Sequence, residues 1–352
     1  MGNMYESEKP EQKSEEKAKE KSEEKSEEKS KEQKSEEFYT INEKYEIISK
    51  IGVGGFSKVY LSEDQTTKQK YAIKVINEAT PEFKKEASIL EKVSSSNNPY
   101  IINLIKYGES QIKKNSKEKS QYIILEYALK GELFNYIDET DNGLEEEYAK
   151  FIFRKILEGV KAIHKSDICH RDLKMENILL DDSFNPKISD FGLATELQGK
   201  DGSRKLTGLV GTPGYYAPEM IKGKSYDGIK VDIFCLGIIL YNINTGKKGF
   251  FDADVGDPFY KYIINKNFNK YWDIMKFHIG EKTKEFKDLY IKMIEYNPEK
   301  RISSIDEILK HPWMKEINDL KKNNNEEYEK LEKKVKKNLK NWMQKLQIKM
   351  KL

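Results

Sequence analysis

The chain has 352 residues, with 63 lysines and arginines against 60 aspartates and glutamates and a formal net charge of +3; this length suits a two-lobed body with tails, and the near-balance of charge argues against a general nucleic-acid binder. The only cysteines, Cys169 and Cys235, lie in apolar runs, which argues against a disulfide framework and reads as two buried thiols of an intracellular, cytoplasmic protein. No apolar stretch is expected to reach the length of a bilayer crossing, residues 233–243 reading as a core helix, and the first residues do not read as a secretory segment.

The chain begins Met1-Gly2-Asn3-Met4-Tyr5-Glu6-Ser7. Gly2 meets one requirement for N-myristoylation, but Glu6 stands where the acceptor pattern has Ser or Thr, and one acyl chain anchors only marginally. Residues 8–37 repeat Lys-Ser-Glu-Glu with almost no apolar side chains. Such a tract cannot bury a core, so residues 1–40 are expected to be disordered. A lone charged helix is disfavoured because the four-residue period stacks Lys21, Lys25 and Lys29, like charges one turn apart.

Two β-runs, Tyr45–Lys50 and Lys58–Ser62, flank Ile51-Gly52-Val53-Gly54-Gly55-Phe56-Ser57. Glycines there let the backbone approach a phosphate with no Cβ in the way. Tyr71-Ala72-Ile73-Lys74 alternates as a strand, a helix is expected near 82–93, 108–121 reads as a solvated loop, and Ile123–Ala128 as a further strand. Beyond residue 130 helices dominate. Residues 144–164 carry Tyr148, Phe151, Ile152, Ile156, Val160 and Ile163 at helical spacing,, and apolar helices follow over 231–245, 286–296 and 305–311.

The chemistry lies in His170-Arg171-Asp172-Leu173-Lys174-Met175-Glu176-Asn177 and in Asp190-Phe191-Gly192. Asp172 can orient a hydroxyl and take its proton, while Asn177 and Asp190 can offer hard oxygens to Mg²⁺. The order and spacing match the H-R-D-L-x-x-x-N and D-F-G arrangement. From Tyr45 to Trp313 the chain resembles a eukaryotic serine/threonine protein kinase. Glu132, Glu176 and His311-Pro312-Trp313 make it most similar to the calcium/calmodulin-dependent, basic-directed group.

The resemblance implies an α+β, bilobal protein-kinase fold: a small β-rich lobe over 45–125 with one main helix, and a larger, mostly helical lobe over 130–313. It also implies ATP and Mg²⁺ as cofactors and protein serines or threonines as substrates. The loop from Ile51 through Gly52, Val53, Gly54, Gly55 and Phe56 to Ser57 would cover the phosphates, with Ser57 in place of the third glycine. Lys74 would touch the α- and β-phosphates, ion-paired with Glu86, for which Glu82 and Glu91 are competitors. Val59, Ala72 and Leu179 would sandwich the adenine, Leu125 would guard the back of the pocket, and Glu126 and Ala128 would offer backbone hydrogen bonds. Lys174 would screen the γ-phosphate, and Thr212 would brace Asp172 and Lys174. Glu132 and Glu176 would accept an upstream arginine of the substrate, or Glu132 would bind only the ribose. Glu219 would pair with Arg301, Asp232 would hold the catalytic-loop backbone, and His164 and His170 would pack without a chemical role. Arg171 would receive an activating phosphate, with Thr207 the nearest candidate and Ser203 the next. A pseudokinase scaffold is the rival reading, opposed by the complete set Lys74, Glu86, Asp172, Asn177 and Asp190. A kinase for small molecules fits poorly with the 211–219 segment.

Residues 314–352 read as a basic amphipathic helix. Tyr328, Leu331, Val335, Leu339, Trp342, Leu346 and Met350 recur at three- and four-residue steps, and nine lysines and two glutamates lie between Tyr328 and Leu352,. Docking onto the chain's own surface, or self-pairing, is the expectation. A calmodulin-like partner anchored at Trp342, and contact with a membrane surface, are the alternatives.

Overall fold

The computed structural model describes residues 40–349 apart from 42–43, 55–56, 77–80, 113–118, 139, 141 and 200–201. The expectations for the N-terminal tail, for Gly55 and Phe56 of the glycine loop and for Met350 fall outside the described residues. The chain divides into two compact units, one running to Glu78 and taking in Gly108–Tyr122, the other formed by Ala79–Tyr107 and Ile123–Leu352.

In the first unit β1 (Tyr45–Val53), β2 (Ser57–Asp64) and β3 (Lys70–Ile76) form an antiparallel meander. Side chains alternate between faces along a strand. Here Tyr60, Ser62, Tyr71, Ile73 and Val75 are buried on one face, while Val59, Leu61, Ala72 and Lys74 stand half-buried on the other. The β2–β3 turn is closed by Asp64, whose carboxylate accepts the N–H groups of Thr66 (2.9 Å) and Thr67 (3.1 Å). That is the local bonding that suits Asp to turns. With β4 (Leu104–Ser110) and β5 (Ser120–Glu126) the sheet has the order β1-β2-β3-β5-β4.

The second unit begins with α1 (Pro81–Ser94), whose proline occupies the first turn, where its missing N–H costs nothing,. Its C-terminal continuation is held within the same unit. Ile102 N–H donates to Ile188 O and Ile188 N–H to Tyr100 O, both at 2.9 Å, and Asn98 Nδ2 donates to Glu158 O at 3.2 Å. Then come β6 (Gly131–Glu132), α2 (Leu133–Asp138) and α3 (Glu146–Lys165), which buries Phe151, Phe153, Ile156, Val160 and Ile163. β7 (Ile168–Cys169) pairs with β10 (Thr195–Glu196), and β8 (Ile178–Leu180) lies between β6 and β9 (Pro186–Ile188). The remaining helices are α4 (Pro218–Ile221), α5 (Gly228–Thr245), α6 (Tyr260–Ile264), α7 (Phe268–Ile279), α8 (Lys284–Met293), α9 (Ile305–Lys310), α10 (Pro312–Asn323) and α11 (Asn325–Lys349).

Three of these differ from expectation. α5 has 18 residues, long and apolar enough by length and composition to cross a membrane, yet 83% of it is buried within the fold, so its apolarity is that of a central core helix. Asp227 caps its start, accepting from Ile229 N–H at 2.8 Å, and Gly246 ends it at φ 67°,. α7 was not anticipated, although Asn267 caps it and Gly280 stops it. The C-terminal segment is two helices. Three successive asparagines, weak helix formers, interrupt it,, and Asn324 Oδ1 accepts the Glu327 N–H at 3.2 Å to start the second helix.

The first half of α11 docks on α3. Tyr328, Leu331, Val335 and Leu339 are buried, the Tyr328 ring lies 5.1 Å from that of Phe151, and Glu332 pairs with Lys155 at 2.7 Å. Burying a side chain of this size stabilises by about 1.5–3 kcal/mol. The apolar face that a calmodulin-like partner would need is therefore occupied along this half by the chain itself. Trp342 and Leu346, further along, are only half-buried.

Candidate active site

The candidate catalytic cluster is built on the turn between β7 and β8. Asp232, at the start of the buried helix α5, accepts the backbone N–H groups of His170 and Arg171, each at 2.9 Å. Arg171 is held at φ 64°, in the left-handed region that a non-glycine residue adopts only when its surroundings enforce it. Burial works to raise Asp232, but His164, His170 and these amides outweigh it and hold the carboxyl below its usual range. His164 Nε2 reaches Asp232 Oδ2 at 2.8 Å, so His164 has a positioning role beyond the packing that the sequence suggested.

His170 is fully buried against Phe191, with ring centroids 5.0 Å apart. Its Nδ1 accepts the Asp172 N–H at 3.3 Å, which leaves the Nε2 proton to be donated to Ser189 O at 2.9 Å. The two bonds fix the orientation of the ring and tie this loop to the residue before Asp190. The sequence suggests only packing for this residue too.

These anchors place Asp172, 6% exposed, at the centre of a polar cluster. Thr212 Oγ1 donates to Asp172 Oδ1 at 2.7 Å, and Lys174 Nζ donates to Thr212 Oγ1 at 2.8 Å and lies 3.3 Å from Asp172 Oδ2. Asn177 Nδ2 donates to Asp172 O at 2.8 Å and to its Oδ2 at 3.2 Å. Thr212 can come this close because of Gly211, at φ 112°, where a Cβ would meet Arg171 O at 2.7 Å. Only glycine fits both the conformation and the space.

Asn177 closes a short 3₁₀ turn, Met175–Asn177, and its backbone O accepts both Ser189 N–H (2.9 Å) and Ser189 Oγ (3.0 Å). β8 and β9 pair Ile178 with Ile188, so Asn177 and Asp190 come from the same end of this ladder. Asn177 spends its amide N–H groups on Asp172, which leaves Oδ1 as its ligating atom. Together with the exposed Asp190 carboxylate it makes an all-oxygen donor set, which fits Mg²⁺.

Two acidic residues lie nearby. Glu132, on β6 opposite Leu179 of β8, is raised above the usual carboxyl range, first by burial and then by the charge of Glu176, with Lys174 opposing. Glu176 Oε2 is buried and makes no hydrogen bond. Of the remaining expected nucleotide contacts in this unit, Ala128 is buried and Leu125, Glu126 and Leu179 are half-buried. The Glu126 carboxylate is already engaged by Asn103 N–H (3.0 Å) and Lys187 (2.7 Å). Of Glu82, Glu86 and Glu91 on α1, Glu86 is the buried one.

In the β-rich unit, Val59 stands directly opposite Lys74, and Leu61 opposite Ala72. The expected contact residues Val59, Ala72 and Lys74 thus share the half-buried face. Gly54 N–H donates to Ser57 O at 2.8 Å, closing the glycine turn, while Ile51 and Val53 are exposed and Gly52 is half-buried.

Away from the cluster, Arg301 meets Glu219 through two parallel bonds, Nη1–Oε1 at 2.7 Å and Nη2–Oε2 at 2.9 Å, both residues buried.

The model of the protein kinase domain matches residues 45–314. The chain belongs to the protein kinase family. It is 34% identical over 292 residues to CBL-interacting protein kinase 11 of Oryza sativa subsp. japonica, a match covering 80% of this chain and 54% of that protein. It is 34% identical over 280 residues to CBL-interacting serine/threonine-protein kinase 13 of Arabidopsis thaliana, covering 78% and 51%. It is 32% identical over 284 residues to maternal embryonic leucine zipper kinase of Xenopus tropicalis, covering 79% and 40%. The kinase chain thus spans about half the length, or less, of these curated relatives. The family implies ATP as substrate with Mg²⁺ beside it.

Proposed function

We propose that the protein transfers the γ-phosphoryl group of ATP to serine or threonine hydroxyls of proteins. The observation that carries this reading is the closed triangle of Asp172, Thr212 and Lys174, with Asn177 completing it. Asp172 orients the attacking hydroxyl and accepts its proton. Lys174 places a positive charge where negative charge develops on the transferring group. Asn177 Oδ1 and Asp190 would hold Mg²⁺, which neutralises phosphate charge when bound. Labelled phosphate appearing on serine and threonine peptides but not on tyrosine peptides tests the reading. Phosphate on tyrosine alone would overturn it.

Gly211→Ala is expected to lower kcat about 100-fold, the scale of a misplacement near 1 Å. The added Cβ must push Thr212 away from Asp172. Steady-state kinetics beside a circular-dichroism spectrum of unchanged shape checks this.

For substrate choice, Glu132 and Glu176 favour an arginine upstream of the acceptor. Two carboxylates that repel each other, one with an unpartnered buried oxygen, are relieved by a bidentate guanidinium. Glu176→Gln is expected to weaken selection for upstream arginine at least roughly tenfold, the order of one charge-assisted hydrogen bond. A peptide-library profile unchanged by the substitution would contradict it.

Control by phosphate is supported by a cationic pair. Lys85 on α1 is held below its usual range, first by burial and then by the Arg171 guanidinium. Such a pair is a receptor for phosphate, and the exposed Thr207, or Ser203 as second choice, is the proposed site that would carry it,. Thr207→Ala is expected to abolish activation by an upstream kinase, and undiminished activity in that variant would count against the site. We also propose an intracellular, cytoplasmic setting, supported by the two free, buried cysteines,; fractionation of a tagged chain tests it.

A further inference from the structure

Among the buried charges, Lys155 of α3 has no part in the catalytic cluster. It is 3% exposed. Its ammonium donates to Glu332 Oε1 of α11 at 2.7 Å and to Asn185 Oδ1 of the β8–β9 turn at 2.8 Å. It also lies 4.5 Å from the centre of the Phe151 ring and 5.8 Å from that of Tyr100. One charge thus joins parts of the chain that are distant in sequence.

Adhesion of α11 does not require this charge. Tyr328, Leu331, Val335 and Leu339 already bury the apolar face of that helix. Taking an ammonium and a carboxylate out of water is costly, and a buried pair is often no more stabilising than apolar side chains of the same size. What such a pair can supply is one fixed arrangement, because the charges are satisfied only where both partners meet.

Here the arrangement includes the turn that joins β8 to β9. Asn185 is not free to follow Lys155, since its Nδ2 donates to Asp181 Oδ2 at 3.0 Å and its backbone N–H to Asp181 Oδ1 at 2.8 Å. Asp181 O accepts the N–H of Phe184 at 3.0 Å, with Phe184 held at φ 61°. The turn is a closed unit that meets Lys155 through Asn185 Oδ1. The hairpin behind it is short, with Ile178 opposite Ile188, Leu179 opposite Lys187 and Leu180 opposite Pro186, a length of about 10 Å. Asn177 and Asp190 stand at its open end, where Ser189 N–H and Oγ both donate to Asn177 O. Ile188 is bonded in turn to Tyr100 O, and the Tyr100 ring lies beside the same ammonium. A tilt at the turn therefore reaches Asn177 and Asp190 with little slack to absorb it.

Resting on the kinase reading above, we propose that Lys155 and Glu332 are positioning residues: through them α11 holds the β8–β9 turn, and so sets the separation of Asn177 Oδ1 and the Asp190 carboxylate as a site for Mg²⁺ beside ATP. The C-terminal helix is then a working part of the kinase unit.

The test replaces the pair by apolar side chains of similar size, Lys155→Met with Glu332→Leu, in the full chain. Melting temperature and helix content are expected to be kept. Mn²⁺, standing in for Mg²⁺, is titrated into the ATP-saturated protein and followed by water-proton relaxation. It is expected to bind the double variant about tenfold more weakly. Hydrogen exchange is expected to quicken at the amides of residues 181–190, and kcat at low Mg²⁺ to fall while KM for a peptide substrate stays the same. Asn185→Ala cuts the link at the turn and leaves the pair in place. It is expected to weaken Mn²⁺ binding alone, and to add little to the double variant. Unchanged Mn²⁺ affinity in a folded double variant overturns the proposal, as do losses that multiply when Asn185→Ala is added. If the double variant does not fold, unchanged affinity in Asn185→Ala overturns it. A wild-type protein that takes up no Mn²⁺ with ATP also overturns it, because the pair then positions no metal site. If Mn²⁺ binding weakens as expected but the wild-type protein transfers no phosphate, the positioning role stands and the catalytic reading fails.

Discussion

Asp172→Asn is expected to reduce phosphoryl transfer by a factor of about 10²–10⁴, the range assigned to a positioned general base, while leaving nucleotide affinity and stability near those of the unaltered protein. The substitution keeps the side chain's size and removes its charge. Both oxygens of Asp172 receive donors: Thr212 on Oδ1, Lys174 and Asn177 on Oδ2. An amide must turn its NH₂ toward one of these donors, so one bond of the triangle is lost along with the proton acceptor. Because the loop backbone is held by Asp232 through His170 and Arg171, the loss stays local. Single-turnover kinetics and a nucleotide titration on the same protein separate the two effects. A large loss of nucleotide affinity would mean that Asp172 holds the loop rather than the proton.

Arg301→Ala is expected to destabilise the fold by about 3–5 kcal/mol, a fall in melting temperature of about 10 °C for a domain of this size. Arg301 is entirely enclosed. Besides its fork on Glu219, it donates through Nη1 to Lys230 O at 2.9 Å and through Nε to Glu295 O at 3.0 Å, and its guanidinium lies 4.9 Å from the Phe234 ring. Truncation leaves the Glu219 carboxylate, 4% exposed, as an unpaired buried charge together with two carbonyl oxygens. Removing both charges at once, as Glu219→Leu with Arg301→Met, is expected to recover much of the loss, since it is the orphaned charge that is costly. Thermal unfolding followed by circular dichroism checks both variants. A double variant no more stable than Arg301→Ala would show that the backbone bonds of Arg301 matter more than its pair.

The juxtaposition of Asp172, Lys174 and Asn177 was legible in the sequence because it is local. Asp172, Lys174 and Asn177 lie within six residues, and Asp190 follows at a spacing set by the β8–β9 hairpin. Features that rest on distant partners were harder to read. The bond from His164 to Asp232 joins residues 68 apart in the chain, and a histidine in an apolar helix gives no local sign of it. The bonds between Ile188 and the 100–102 segment join distant parts of the chain, and no periodicity encodes them. The break between α10 and α11 was signalled by Asn323-Asn324-Asn325 and was overridden by the regular apolar pattern beyond. The segment between α5 and α6 carries Asp252, Asp254, Gly256 and Asp257, which mark a turn,, but nothing local shows that the Asp257 carboxylate is the one that accepts four backbone N–H groups.

Phosphorylation of protein hydroxyls by the Asp172 cluster is checked by identifying the modified residue. A mixture of serine, threonine and tyrosine peptides is incubated with Mg²⁺ and ATP and with either the wild-type protein or Asp172→Asn, after treatment with an activating kinase and its removal, and the products are mapped by mass spectrometry. Phosphate is expected on serine and threonine with the wild-type protein, and almost none with the variant. No transfer by the wild-type protein, or equal transfer by both, would contradict it.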